Sequence, residues 1–465
     1  MNFMKQISSK LGSDAEVTVR PKSRSFSFLI LLLSLALLPG HASAQQDWFH
    51  AATGLGQEKP RVAVADFAPR ADSAKSHSTL FTQVVRDDLQ FSGILELVSP
   101  SFYPTEVPTI PSELRNLVWT DPPLTANLVA FGNLSESSAE VAIQAWLYDV
   151  RNPSSQAVVG KIYRGAPTDP EVRKFAHQFA DEIISKLSGG LPGVASTQIA
   201  FVSSRTGPKE IWVMDYDGAN QRPLTSLRSI SLTPRWSPDA SRIAFTCFAP
   251  VNGVTSAQIC MYSMDSGKLV SFPRFRGTNI TPAWSPDGTQ IIFSSSMQGN
   301  PELYVTDVSG GKPKRITIAN GASMSPAWNP KTGQTIAFVS DRDGVPYLFL
   351  ANSDGTNSTK LDLGDKGYVI DPAWAPNGQL LAFSWRRPSG NYDLYVMDAA
   401  TRQLIELTRD AGRNERPSWA PDGRHIVFES TRGGSRQIWT MLADGSQAHQ
   451  LTSAGHNESP NWSPK

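Results

Sequence analysis

Only two cysteines, Cys247 and Cys260, occur in 465 residues. A framework of several disulfides is excluded, and no cysteine lies near residue 44 to carry a lipid anchor. The pair sits 13 residues apart on what read below as neighbouring antiparallel strands. That suits either a bridge or two small buried apolar side chains. An excess of one charge is missing too, with 43 Lys+Arg against 42 Asp+Glu. A general nucleic-acid binder needs a basic face to neutralise phosphates, so that class is excluded.

Catalytic signatures are absent. The chain has no G-x-S-x-G elbow, no phosphate-binding GxxxxGK[ST] loop and no HExxH pair. Its seven histidines are dispersed, and His449 and His456 read as surface-loop residues. The stretch Asp341-Arg342-Asp343-Gly344 lacks the twelve-residue calcium loop and reads as a polar turn. No enzyme activity, cofactor or metal site is expected.

Long apolar runs are also scarce. Residues 26–38 (FSFLILLLSLALL) fall short of the roughly 20 a spanning helix needs. They follow Lys5, Lys10, Arg20, Lys22 and Arg24 and precede Pro39-Gly40 and Ala42-Ser43-Ala44. That order is an export signal, with the cut expected between Ala44 and Gln45. Residues 1–44 hold five basic and two acidic residues, so their removal moves the net charge from +1 to −2. The expected product is exported, mildly acidic and without a membrane span.

What the sequence does hold is a repeat. Six segments read Pro-x-Trp-[Ser/Ala/Asn]-Pro, centred on Trp236, Trp284, Trp328, Trp374, Trp419 and Trp462. The intervals are 48, 44, 46, 45 and 43 residues, and the lattice takes six of the twelve tryptophans. A short apolar strand of the Ile-Ala-Phe type follows five of them, at Phe245, Phe293, Phe338, Phe383 and Phe428. A sixth copy, Ile199-Ala200-Phe201, stands ahead of the first Trp. A second strand trails each copy, and turns such as Ser285-Pro286-Asp287-Gly288 separate the runs. About four strands per 45 residues is one propeller blade. The fold class is therefore mainly β, a six-bladed β-propeller preceded by a small α/β domain. The phase of the repeat predicts that the Trp462 strand closes the ring against Ile199-Ala200-Phe201. The tryptophans, fixed in every blade, are expected in the core between blades.

Residues 60–190 carry no repeat. Strands are expected at 61–65 and 95–98, with a meander at 128–131, 141–149 and 157–163. Leu80, Val84, Val85 and Leu89 mark one helix, with Ser78 or Thr79 available as cap. A second should be capped by Asp169, opened by Pro170 and ended before Gly189-Gly190, burying Val172, Phe175, Ala176, Phe179, Ile183 and Leu187. The expected divisions are a leader at 1–44, a tail at 45–59, the α/β domain at 60–190, a linker at 191–198 and the propeller at 199–465.

In a meander, the segment before each Pro-x-Trp and the hairpin after each Ile-Ala-Phe strand emerge on one face, around the channel mouth. Candidate partner contacts there are Arg205, Arg276, Thr278, Asn279, Thr281, Ser325, Arg342, Asp371, Arg386, Glu415, Arg432 and Glu458. Arginines and polar loops at a rigid concave rim suit a protein partner.

The assembly resembles the TolB family of periplasmic propeller proteins. The likeness rests on Val172-Arg173-Lys174-Phe175-Ala176-His177-Gln178-Phe179-Ala180-Asp181, similar to that family's AHxxAD helix, joined to the Trp-Ser-Pro-Asp-Gly blades. It rests also on Ile199-Ala200-Phe201-Val202-Ser203-Ser204-Arg205 and Phe275-Arg276-Gly277-Thr278-Asn279. The resemblance implies a monomeric, non-enzymatic scaffold in the periplasm. It would bind a Pal-like lipoprotein at the channel mouth and a TolA-like inner-membrane protein through the mature N-terminus, supporting outer-membrane integrity and division. Residues 45–59 do not match a family N-terminus, but Gln45, Trp48 and Phe49 are its candidate contacts. Two other readings of the propeller stand beside this one, an accessory to an exported hydrolase and a ligand- or metal-sensing module.

Overall fold

The computed structural model describes residues 59–465 apart from 153–155, 366 and 389, together with Phe49, Thr53, Gly54 and Gly56. The leader, its cut at Ala44–Gln45, and Trp48 lie outside the described residues.

Six four-stranded antiparallel sheets make up the propeller. In each, the strand carrying Pro-x-Trp is innermost, and the Ile-Ala-Phe strand pairs with it on the outside. Blade 1 is built from Leu232–Trp236, Arg242–Val251, Val254–Ser263 and Lys268–Val270. Blades 2 to 5 repeat the plan from inner strands Asn279–Trp284, Ser323–Trp328, Tyr368–Trp374 and Asn414–Trp419. Blade 6 joins the two ends of the propeller: Asn457–Trp462 pairs with Gln198–Ser203, with Trp462 opposite Ile199 as the repeat predicts.

The tryptophans lie between blades. Trp284, Trp374 and Trp419 each donate their indole N–H to a carbonyl of the preceding inner strand: Arg235, Ala327 and Ala373, at 3.0, 3.2 and 3.1 Å. Each ring therefore fills an inter-blade gap with its polar edge satisfied. Cys247 and Cys260 are joined in a disulfide between the two middle strands of blade 1, with Cα atoms 5.8 Å apart.

The amino-terminal domain is a six-stranded mixed sheet with two long helices against it. Arg61–Val64 lies parallel to both Glu96–Leu97 and Leu128–Glu136. The expected meander follows as Leu128–Glu136, Val141–Asp149 and Val159–Gly165. Both helix starts differ from expectation. The first helix, Lys75–Ser92, is entered from a 3-10 turn at Asp72–Ala74, so Ser78 and Thr79 fall inside it. Ser78 bonds the Phe67 carbonyl instead of capping. The second, Asp169–Leu187, has Thr168 at its N-cap in extended backbone, and the Asp169 carboxylate lies 3.2 Å from His77.

This domain sits on the propeller face formed by the Pro-Asp-Gly turns, over blades 5 and 6. His425 Nε2 meets the Phe91 carbonyl at 2.9 Å, and Tyr216 Oη meets Asp88 at 2.5 Å. One apolar core runs from Phe81 and Phe179 through to Phe201 and Trp462. Among the described residues, the contacts between this domain and the blades lie on this one face. Among the described residues no helix is long and apolar enough to cross a membrane.

Candidate partner-binding site at the channel mouth

Every inner strand carries one extra residue just before its Pro-x-Trp. In blade 2, Ile280 faces Ser294 and Ala283 faces Ile292, so three steps on the inner strand match two on its neighbour. The same shift recurs in the other five blades. The bulged residues are Thr233, Thr281, Ser325, Asp371, Arg416 and Ser459, with φ between 49° and 55°. All are left-handed, none is glycine, and all precede proline, where extended backbone is the rule. Holding a branched residue there costs about 1–2 kcal/mol. Bulges re-aim side chains, and six at one level make a ring at the mouth of the channel.

Neighbouring blades hold the bulges in place. The amide of Thr281 donates to Thr246 Oγ1 at 3.2 Å, that of Arg416 to Ser384 Oγ at 3.1 Å, and that of Ser459 to Glu429 Oε2 at 2.7 Å. Each acceptor follows the Phe of an Ile-Ala-Phe-type strand one blade back.

The mouth is polarised. Beside the bulges, blades 1 to 4 place Leu232, Ile280, Met324 and Ile370, while blades 5 and 6 place Glu415 and Glu458. On that charged arc Glu429, 2% exposed, takes Arg416 at 3.1 Å and Arg436 at 2.8 Å. Arg436 also reaches Glu458 at 3.5 Å and Glu415 at 3.7 Å. Lys209 and Arg413 close the ends on Glu458 and Glu415 at 2.5 and 2.8 Å. Burial pulls the Arg416 guanidinium down, but Glu429, Asp371 and Glu458 outweigh it and hold its pKa above the usual value. Burial pushes the Asp371 carboxyl up, against the pull of Arg416. The arc is thus cross-linked by ion pairs around one desolvated carboxylate.

The twelve candidate residues divide by what they touch. Thr281, Ser325 and Asp371 stand in the bulge ring, and Glu415 and Glu458 belong to the charged arc. Arg276 and Thr278 are exposed on the rim. Arg386 stacks on Tyr368 with 4.2 Å to the ring centroid. Arg205, Arg342 and Arg432 stack on Trp212, Phe349 and Trp439 of their own blades, at 4.5, 4.6 and 4.9 Å. Arg205 and Arg432 also donate to Asn457 and Asn414, at 3.1 and 2.9 Å. These arginines brace each hairpin to the start of an inner strand. Asn279 is fully buried, accepting from Ser295 at 2.6 Å and donating to the Phe275 carbonyl at 3.0 Å. Phe49 is turned inward as well, 2% exposed in a cluster with Leu380, Trp419 and Leu442.

Arg416, Glu429 and Arg436 escaped the sequence reading. A signal for Glu429 existed: it stands in a column otherwise filled by Val202, Thr246, Ser294, Val339 and Ser384. Another missed pattern is the Gly-x-Asn before the bulge. At Gly412, φ is 77° and a Cβ would lie 2.9 Å from the Arg432 amide nitrogen. That close approach fixes the rim hairpin to the inner strand.

Among the described residues no group of three or more His, Cys, Asp or Glu is placed to hold a metal ion. The charged arc is an acid–base lattice in which each acid meets a base.

Comparison with known proteins follows the same division of the chain. Residues 52–156 match the model of the TolB amino-terminal domain, and residues 185–369 and 364–465 match that of the TolB beta propeller domain. The chain belongs to the TolB family. A protein TolB homolog of Chlorobium chlorochromatii is 32% identical over 314 residues, 68% of each chain. The Tol-Pal system protein TolB of Bordetella pertussis is 32% identical over 322 residues, 68% of this chain and 67% of that one. The crystal structure of TolB from Acinetobacter baumannii superposes with a TM-score of 0.73 at 25% identity, covering 88% of this chain and 98% of that one. As a TolB protein, the chain keeps its family's two modules in one molecule.

Proposed function

We propose that this TolB protein is a periplasmic, non-enzymatic scaffold of a Tol–Pal envelope system. A Pal-like lipoprotein docks at the channel mouth. A TolA-like inner-membrane protein is contacted through the segment holding Gln45 and Trp48, with Phe49, buried against the propeller, as its anchor to the ring and not as a contact. The cycle serves outer-membrane integrity and constriction at division. The observation that carries this reading is the ring of six strained bulges, one in the inner strand of every blade. Strain kept at six equivalent positions is the mark of a pre-formed site, and a rigid rim avoids most of the ordering cost of binding. Arg276, Thr278, Thr281, Ser325, Asp371, Arg386, Glu415 and Glu458 are the contacts proposed, with Arg205, Asn279, Arg342 and Arg432 holding the rim in shape.

The test is a titration of residues 45–465 with the periplasmic domain of the Pal-like lipoprotein from the same cell. Thr278→Arg combined with Thr281→Arg is the blocking variant, with Thr278→Arg alone, at an exposed position, as the variant that leaves the bulge untouched. Saturable binding that the variant loses is expected. A folded wild-type protein that does not bind would overturn the reading.

A further inference from the structure

The two middle strands of blade 1 are longer than those of the other blades. They pair over ten residues, from Arg242 opposite Ser263 to Val251 opposite Val254. Blades 2, 3, 5 and 6 pair over six residues and blade 4 over seven. The first six rungs of blade 1 match those of its neighbours, so four are extra, residues 248–251 against 254–257. At the antiparallel rise they lift a β-arm about 14 Å on the mouth side. Asn252 and Gly253, with φ of 51° and 82°, close it in the two-residue turn that hairpins favour.

An isolated two-stranded hairpin is at best marginally stable in water, and this one is held at several points. Cys247 stands on the sixth rung, at the foot of the arm, and is bridged to Cys260. Arg274 donates to the Pro250 carbonyl at 3.0 Å, near the tip. Gln258 donates to the carbonyls of Phe275 and Gly277 at 3.0 and 3.1 Å. These ties come from the rim segment that leads into the bulge of blade 2.

The arm carries apolar side chains that the fold does not bury. Phe248 is 39% exposed and Val254 68%. Leu227 and Ile230, on the mouth-side segment from blade 6 to blade 1, are exposed as well, and so is Ile318 between blades 2 and 3. All five stand on segments that border the apolar sector of the mouth at Leu232, Ile280 and Met324. Exposed apolar residues gathered in one sector mark an interaction surface. Position supplies the partner. The middle strands stand about 5 and 10 Å outward of the inner strand that carries the bulge. A protein domain seated on the ring of bulges cannot clear a wall so tall and so near.

We infer that the blade 1 arm is a side wall of the mouth, giving the docked Pal-like lipoprotein an apolar contact through Phe248 and Val254. This rests on the docking proposed above and adds a contact outside the rim residues named there. The partner that fits presents an apolar surface to blade 1 and charged groups to blades 5 and 6. Because the arm is pinned at its foot and near its tip, little ordering cost is added on binding.

The test is calorimetric titration of residues 45–465 and two variants with the periplasmic domain of the Pal-like lipoprotein. One variant is Phe248→Asp with Val254→Asp, which puts charge on the exposed arm. The other removes residues 248–251 and 254–257, leaving Asn252-Gly253 to join Cys247 to Gln258, so that blade 1 pairs over six residues like its neighbours. Each should weaken binding about tenfold, and the shortened protein keeps the readout if the charged one does not fold. Wild-type affinity in the shortened protein would overturn the arm while leaving docking at the mouth in place. Tighter binding would overturn it too, by making the arm an obstruction. A folded wild-type protein that does not bind would remove the docking and the arm together.

Discussion

His425 lies flat on Phe91, with ring centroids 4.3 Å apart and planes 11° apart, while its Nε2 meets the Phe91 carbonyl at 2.9 Å. One propeller turn thus grips the last turn of the first helix through both a ring face and a backbone atom. His449 and Tyr216 close on the other sides of Phe91, at 5.4 and 4.9 Å. His449, expected on a surface loop, is exposed at the surface on the short strand His449–Gln450 and meets Phe91 edge-on. Phe91→Ala should loosen the two domains without unfolding either. The half-buried ring predicts a loss of about 1–2 kcal/mol, below the range for a fully buried Phe. Proteolysis of the chain between the second helix and the propeller should quicken, and an unchanged cleavage rate would argue against this joint.

The buried trio Asp88, His177 and Tyr216 makes the joint sensitive to pH. For His177, burial pulls the pKa down, but the bond to Asp88 outweighs it and the net shift is upward. Asp217 adds to the rise and Arg173 opposes it. A raised histidine stabilises the fold fully below its unfolded pKa, and that contribution is lost as pH rises through the folded value. Asp88 is raised as well, by burial against His177, and its shift has the same sign. Thermal midpoints measured from about pH 5.5 to 8.5 should therefore fall with rising pH. In His177→Gln the slope should flatten. An identical slope in the variant would assign the dependence to other groups.

The repeat made the propeller legible, because one Trp lattice, one apolar strand per blade and an offset at the ends all demand the same ring. The α/β domain was legible in type, since helical spacing at Leu80, Val84 and Leu89 does not depend on its neighbours. Its helix starts were not: Ser78 spends its side chain on Phe67, which is distant in sequence, and Asp169 lies one residue past the cap. The mouth was legible only as a location. Pre-proline residues favour extended backbone, so nothing local announces six left-handed bulges. The bonds that hold them, such as Arg416 to Ser384, come from the neighbouring blade. Arg205 and Arg432 read as free binding groups because stacking on Trp212 and Trp439 depends on a register that the sequence does not display.

Glu429 offers a sharp test of the charged arc. It faces both Arg416 and Arg436 while 2% exposed, so its loss leaves two cations without their shared partner. Glu429→Ala should cost about 3–5 kcal/mol by urea unfolding, the price of stranding buried charge. Glu429→Gln keeps an acceptor for the Ser459 amide and should cost less. If the two variants unfold at the same urea concentration, charge is not what the arc contributes.

The disulfide in blade 1 predicts a modest effect. It closes a sequence separation of 13 residues, for which the chain-entropy model gives about 3 kcal/mol. Ten paired positions already join these two strands, from Arg242 opposite Ser263 to Val251 opposite Val254, so the hairpin persists without the bridge. Cys247→Ala with Cys260→Ala should stay folded at 25 °C and lose at most that amount in urea unfolding. Failure to fold would mean that the bridge is needed to reach the native hairpin.

Strain at the mouth and binding at the mouth can be separated at Thr281. Its φ of 52° is unfavourable for a β-branched residue and costs nothing for glycine. Relief of that strain is worth about 1–2 kcal/mol, against an opposing entropy term of about 0.5–1 kcal/mol for placing glycine in a strand. Thr281→Gly should therefore leave stability unchanged or slightly raised. The same change removes the side chain from the rim between Ile280 and Pro282, so affinity for the Pal-like partner should fall. Stability kept with affinity lost identifies the bulge as a binding device whose strain is retained for recognition. Affinity kept would make the bulge a feature of ring closure alone, and the contact would then rest on the charged arc of blades 5 and 6.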